Sequence, residues 1–543
     1  MSENYNAALI FVDDYFTLDY RIFIKKYFPK RKTEIERPLT LAKFQHLIND
    51  LSAEQMKVIS DNKSDSIMIT AGPGSGKTRV LVHKIASLIL MEDIKPEQFL
   101  MFAFSRIAAM ELKARLKEFL GNLTYSLDIF TFHGFCFDLL GRTGDLHKSE
   151  TIIQTTIDEI KNNNLSDERI TSKSVLLIDE FQDVGPQEVE LIDLIIDRAE
   201  TIRTIVVGDD DQNIYEFRGA NVDNFRLFIK KYKAEPINLL TNYRSTINIV
   251  EFSNQFIRQV KDRLKTIPLV ANRTDNGFIK IYKYNHDNIF QPTVDQIVKE
   301  KPKGSSAILT HTNEEAALIH CLLERKGIKS RLIISDNHFK VSDILEIRTF
   351  TYYLESRKDK AFGVIEEDFW NQCIENIKNM YHNSSNLKLC MEQISLYDRT
   401  YQKKTVSEWI SFISEINVED TYIPQKDTVL VTTMHKSKGK EFNNVYIMLR
   451  NYNFLTDAGK RVLYVAITRA KDSLSIHSNS SHFLKFKDIP NCSYSYIDKN
   501  YDVPDEILIQ LGHRDIYLSG FKHKNKQAII KELISGVQLF TGP

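Results

Sequence analysis

The run Thr70–Val80, TAGPGSGKTRV, places three glycines ahead of Lys77, Thr78 and Arg79. Gly72, Gly74 and Gly76 let the backbone turn tightly, and Lys77 indicates that what the turn surrounds is anionic. The spacing is that of G-x-x-x-x-G-K-[ST], with Ala71 standing at the first glycine. In such a loop the backbone amides around Ser75 cradle phosphates at the positive end of the following helix. Lys77 then reaches the terminal phosphates and the Thr78 hydroxyl ligates magnesium. Kinases, GTPases and motors share this element, so alone it does not separate phosphoryl transfer from hydrolysis.

The stretch LLIDEFQDV, Leu176–Val184, narrows the choice, because its apolar run ends in Asp179 and Glu180. One carboxylate can hold a divalent cation through water, and the next can activate a water for in-line attack, which is hydrolysis. Gln182 and Asp183 follow, and VVGDDDQNIYEFRGA (Val206–Ala220) ends another apolar run with Gln212 close behind.

These residues need a frame that brings strand ends together. SIMIT before the glycine loop is a short apolar run, and KTRVLVHKIASLIL after it has helical spacing. FLMFAF (Phe99–Phe104), LDIFTF (Leu127–Phe132), SVLLID (Ser174–Asp179) and TIVVGD (Thr204–Asp209) alternate with helix-like segments, as in a buried parallel sheet. A second series starts at FIKIYKY (Phe278–Tyr284) and SAILTH (Ser306–His311), and resumes at TVLVTT (Thr428–Thr433) and NVYIML (Asn444–Leu449). Between about Asp336 and Asp427 the pattern is aromatic and reads as a mostly helical insertion. The fold class is therefore α/β.

Lys+Arg 72 balance Asp+Glu 72, which excludes a uniformly basic nucleic-acid coat but allows a local basic channel. No apolar stretch approaches the roughly 18 residues of a spanning helix, and residues 1–6 lack a signal-like lead, so a cytoplasmic protein without membrane contact is expected. The five cysteines form no CxxC pair, which argues for reduced thiols over a metal site.

The order of motifs over about Leu51–Ile476 resembles UvrD/Rep/PcrA-type superfamily-one helicases, motors of two RecA-like P-loop NTPase domains that move on single-stranded DNA. LSAEQ resembles the adenine-reading element, with Gln55 as its ligand; FAFSRIAAMEL and TFHGFCFDLL resemble DNA-contacting motifs; TNYRST, TTMHKSKGKEF and RVLYVAITRAK complete the set. The resemblance implies ATP held by Gln55, Gly72, Gly74, Ser75, Gly76, Lys77, Thr78, Arg79, Tyr243 and Glu441, with Tyr243 on adenine and Glu441 on the ribose. Thr78 and Asp179 hold Mg2+, and Lys77, Asp179, Glu180, Gln212, Arg244 and Arg469 carry the chemistry. Gln212 reports the γ-phosphate, Arg244 reaches it, and Arg469 acts as the arginine finger. On the DNA side, Phe104, Tyr215 and Phe217 offer stacking faces, and His133, Arg218, His435, Lys436 and Lys438 meet phosphates. An aromatic in an apolar run is usually core, so Phe104 and Phe217 admit that reading too. Phe217 stands where the family has tryptophan, and SRIAA where it has threonine–asparagine–lysine.

The expected domains are an N-terminal extension (1–50), a first RecA-like domain (51–247) with a short insertion near 141–173, and a second built from 248–335 and 428–485. A reduced helical insertion (336–427) interrupts the second domain, and 486–543 form a tail too short for a nuclease domain. Phe11–Lys32 interleaves aromatic and basic residues and looks like the segment preceding the UvrD-type half of bacterial RecQ–UvrD fusion helicases; it suits a protein partner, nucleic acid or its own core. An ATP-dependent DNA translocase, 3′ to 5′ by resemblance, is expected. A DNA-sensing ATPase subunit that gates a partner is the alternative.

Overall fold

The computed structural model describes residues 10–14, 22, 26–27, 51–140, 151–163, 168–199, 201–334, 341–356, 364–384, 386–401, 404–416, 425–486, 489–499 and 501. Most of the N-terminal extension and of the tail, including Tyr15, Phe16 and Tyr20, therefore lies outside the described residues.

The central apolar runs are strands because both sheet faces are covered there, and edge strands with part-exposed residues complete each sheet. In the first sheet these are β1 (Ser66–Ala71), β2 (Phe99–Phe102), β3 (Asp128–Phe130), β4 (Val175–Ile178), β5 (Arg203–Gly208) and β6 (Glu235–Leu239). Their order is β3-β2-β4-β5-β1-β6, with every pairing parallel. Because β4, β5 and β1 are neighbours, their C-terminal ends put the glycine loop, Asp179–Glu180 and Asp209–Gln212 side by side. Ligands of open parallel sheets bind at such ends.

A short pair, β7 (Thr241–Asn242) and β8 (Val270–Ala271), leads to the second sheet. It comprises β9 (Phe278–Tyr284), β10 (Ser306–Thr310), β11 (Ser330–Ile333), β12 (Val429–Thr433), β13 (Phe442–Leu449), β14 (Ala470–Ser478) and β15 (Cys492–Ile497), in the order β11-β12-β10-β13-β14-β9-β15. The sheet runs past residue 485, where the expected domain ends, because β15 pairs in parallel with β9. Glu441 and Arg469 immediately precede the neighbouring strands β13 and β14.

Between β11 and β12 the helices Leu345–Glu355, Glu367–Met380, Leu387–Thr400 and Val406–Glu415 pack around Phe350, Trp370, Tyr397, Trp409 and Phe412. Met110 of the first domain is part of this core and Ile107 packs against it. Arg106 donates to the Tyr401 hydroxyl (3.0 Å from Nε) and lies 3.6 Å from Glu415, while Thr131 donates to Glu415 at 2.7 Å. The insertion thus belongs to the second domain by chain and to the first by packing. In the shorter connection before β4, the described residues form helices Ile152–Lys161 and Glu168–Thr171.

Candidate functional site

The glycine loop is shaped by what closes on it. Gly74 and Gly76 have φ of 69° and 82°, left-handed values that favour glycine. A Cβ on Gly74 would lie 2.7 Å from Arg244 Cβ, and one on Gly76 would lie 2.9 Å from Gln55 Nε2. Buried Asn242 fixes this approach, its amide donating to Pro73 O (2.7 Å) while its Oδ1 accepts from the Arg244 and Ser245 amides (2.9 and 2.8 Å). The Tyr243 amide donates to Gly74 O at 2.9 Å, and its ring remains partly exposed. Gln55 belongs to a capping box with Ser52, and its amide donates to Ser75 O at 3.1 Å, so it braces the loop. Arg79 is exposed on the following helix.

At the end of β4, Glu180 adopts a left-handed φ of 51°, a strained conformation for a residue with a Cβ. Its Oε1 lies 2.9 Å from Lys77 Nζ, and its Oε2 accepts a hydrogen bond from Gln182. Gln182 Oε1 accepts from the Asp209 amide at 2.8 Å. Gln212 donates to Asp209 Oδ2 at 2.5 Å and accepts from Arg469 Nη2 at 3.0 Å, which carries the network across to the second domain. Arg244 Nε meets Glu441 at 2.7 Å, and Lys471 meets the other oxygen of that carboxylate at 2.5 Å.

Burial sets the charge pattern. Loss of water, then the neighbouring Glu180 carboxylate, raises Asp179 above the usual carboxylate range. Burial also pushes Glu180 up, but Lys77 and Lys438 outweigh it and hold that carboxyl low. Burial, then the Arg244 guanidinium, pushes Arg469 down. Arg244 and Arg469 thus lie close enough to oppose one another's charge, with Glu441 as the near counter-charge of Arg244. The buried Asp209–Asp211 run is offset from behind, where Lys265 lies 2.6 Å from Asp209 and Arg263 makes contacts of 2.6 and 2.7 Å to Asp211.

A row of rings runs along one side. Phe104 stacks on Tyr215 at 5.5 Å, Tyr215 meets Phe217 at 5.9 Å, and Phe217 meets His435 of the second domain at 6.4 Å. Phe217 is 72% exposed and Phe104 42%, so neither is a core residue. Lys436 is half-buried and His133 lies in the first turn of helix Phe132–Leu139, beside Thr131. The Arg218 side chain lies outside the described residues. Lys438 turns inward: its side chain is 9% exposed and pairs with Asp183.

The UvrD/REP helicase N-terminal domain family matches residues 51–173 and 149–233, and the UvrD-like helicase C-terminal domain family matches 237–362 and 356–481. The chain belongs to the UvrD/REP helicase family. Among its relatives, the ATP-dependent DNA helicase PcrA of Staphylococcus epidermidis is 22% identical, with 85% of this chain and 87% of that protein covered. The PcrA of Staphylococcus aureus strain MRSA252 is 21% identical over the same shares. Membership makes this UvrD-like chain an ATP-hydrolysing DNA helicase, and a helicase binds single-stranded DNA. No described helix is long and apolar enough to cross a membrane.

Within this UvrD-type frame the structure brings Lys77, Asp179, Glu180, Gln212, Arg244, Glu441 and Arg469 to one cleft. Asn242 and Lys471 join them without having been singled out in the sequence, and Gln182, noted there beside Asp183, joins them too. Asn242 sits immediately before the Tyr243–Arg244 pair, and a polar residue abutting such a pair was the signal available.

Proposed function

We propose that the chain is a magnesium-dependent, ATP-driven translocase on single-stranded DNA, moving 3′ to 5′. Thr78 and Asp179 hold the metal, Glu180 activates water, Gln212 reads the γ-phosphate, and Arg244 and Arg469 neutralise charge developing on the transferred group. The observation that carries this reading is the Arg469–Gln212 contact at 3.0 Å, which joins the hydrolytic cleft to the second domain and makes hydrolysis depend on closure. The exposed ring row from Phe104 to His435 supplies a sequence-tolerant base platform that both domains share. The work done fits DNA repair, recombination or defence against foreign DNA.

ATPase rates with single-stranded DNA, duplex DNA, RNA and no nucleic acid test the reading. Strong stimulation by single-stranded DNA is expected, and stimulation by RNA alone overturns it. The short connection before β4 favours one rival, a DNA-sensing ATPase subunit that gates a partner. Stimulation without directional movement on a labelled single strand would decide for that rival.

A further inference from the structure

Lys438 stands on the turn after β12, in the second domain, yet its ammonium reaches into the first. It pairs with Asp183, whose side chain is fully buried, and donates to the Gln212 carbonyl at 3.3 Å. The same ammonium lies 5.1 Å from the Tyr215 ring centroid and 5.7 Å from that of Phe104, within cation–π range of both. Behind Asp183 the contacts continue. Gln182 Nε2 lies 3.5 Å from Asp183 Oδ2 and donates to Glu180, which meets Lys77 at 2.9 Å. Among the described residues, Asp183 Oδ1 finds no hydrogen-bond partner, so Lys438 is the principal hold on that carboxylate.

We propose that Lys438 is a positioning residue that couples strand binding to hydrolysis, by linking the Phe104–Tyr215 rings to Glu180 through Asp183 and Gln182. The inference rests on the single-stranded-DNA reading above. A buried ammonium is costly without partners, so a base that shifts the rings must shift Lys438, and Asp183 follows its counter-charge. Gln182 touches both carboxylates and passes the change to Glu180. Because Lys438 and Asp183 lie on different domains, opening of the cleft breaks the link, and an open motor idles.

The test uses the full chain, with ATPase measured against a graded series of oligothymidylate and DNA affinity measured separately by anisotropy. The parent's own stimulation tests the DNA reading; the variants test the link. Lys438→Met and Asp183→Asn are each expected to cut the stimulated rate at saturating oligothymidylate at least tenfold, with DNA affinity within threefold of the parent. The double variant should be no worse than either single, as for one shared contact. A surface phosphate contact predicts the opposite: a large loss of affinity, a shallower salt dependence and a full rate at saturation. That outcome, or additive losses in the double variant, overturns the proposal. If Lys438→Met fails to fold by circular dichroism, Asp183→Asn decides alone, since it keeps the shape of the site, and normal stimulation in it overturns the link.

Discussion

At the scale of single residues, Lys77 and Glu180 are partners at 2.9 Å to which the proposed function gives separable duties. Lys77→Ala removes the ammonium proposed to meet phosphates, so nucleotide binding should fail, whereas Glu180→Gln keeps shape and loses only the proposed base. Equilibrium binding of a fluorescent ATP analogue, set beside phosphate release, separates them: no binding in the first variant, and near-normal binding with turnover down by about 100-fold or more in the second. A parent-like rate in Glu180→Gln removes it from the water-activating role. Arg469 is 2% exposed and points at Gln212, a placement suited to transition-state charge. Arg469→Ala should therefore cost about a thousandfold in turnover and far less in ATP affinity, as for arginine fingers. Equal losses in the two would mean plain substrate binding. Phe217 is the residue whose exposure settles a doubt the sequence left open. Phe217→Ala should leave circular dichroism unchanged and weaken single-strand binding by roughly 1 to 3 kcal/mol, alike on different base sequences. Lys438 was legible as a motif lysine but not in its direction, because a motif fixes a backbone position and only the packing of Asp183 decides which way the chain turns.

Among elements, the clearest case is the helical insertion held on the helix Arg106–Leu120. The Arg106 and Glu415 side chains are only 11% and 10% exposed, so deleting one leaves the other's charge buried. Arg106→Ala should destabilise the insertion by about 3 kcal/mol. The chain's tryptophans, Trp370 and Trp409, both sit in this core, so tryptophan fluorescence in urea reports on it selectively. An unchanged urea midpoint in that signal would show the contact to be incidental. Strands β1, β2, β4, β5, β10, β12 and β13 were visible as continuous apolar runs because a strand covered on both faces leaves a local mark. The place of β15 was not, since CSYSYI has no such run and earns its strand from β9, far away in sequence. The attachment of SRIAA to the insertion was equally hidden. Arg106 and Glu415 are ordinary surface types until the fold sets them face to face.

For the whole molecule, movement along a strand needs domains that grip in turn, but separating a duplex also benefits from surfaces that bend it ahead of the motor. The described accessory structure is small and part of it is committed to packing on the first domain. The lone chain is therefore expected to show vigorous DNA-dependent ATPase while unwinding long duplexes poorly unless a partner is added, measured by strand displacement at low enzyme concentration. Processive unwinding by the chain alone contradicts this. A partner that docks on the aromatic and basic N-terminal segment through Phe11, Tyr15, Phe16 and Tyr20 should lose its effect when residues 1–38 are deleted, and unchanged partner-dependent activity would argue against that docking site.

The order of the second sheet also bears on how the chain is born. β9 is made early, yet its flanking strands are β14 and β15, whose first residues are Ala470 and Cys492. On a ribosome adding about 5–20 residues per second, β9 waits on the order of ten seconds with both hydrogen-bonding edges open. Ile279, Ile281 and Tyr284, all buried in the finished sheet, stay unsheltered during that wait. Unpaired strand edges of this kind recruit other chains. Nascent molecules halted before Ala470 should thus be the aggregation-prone ones and the natural clients of a holdase, while those released after β15 close the sheet themselves.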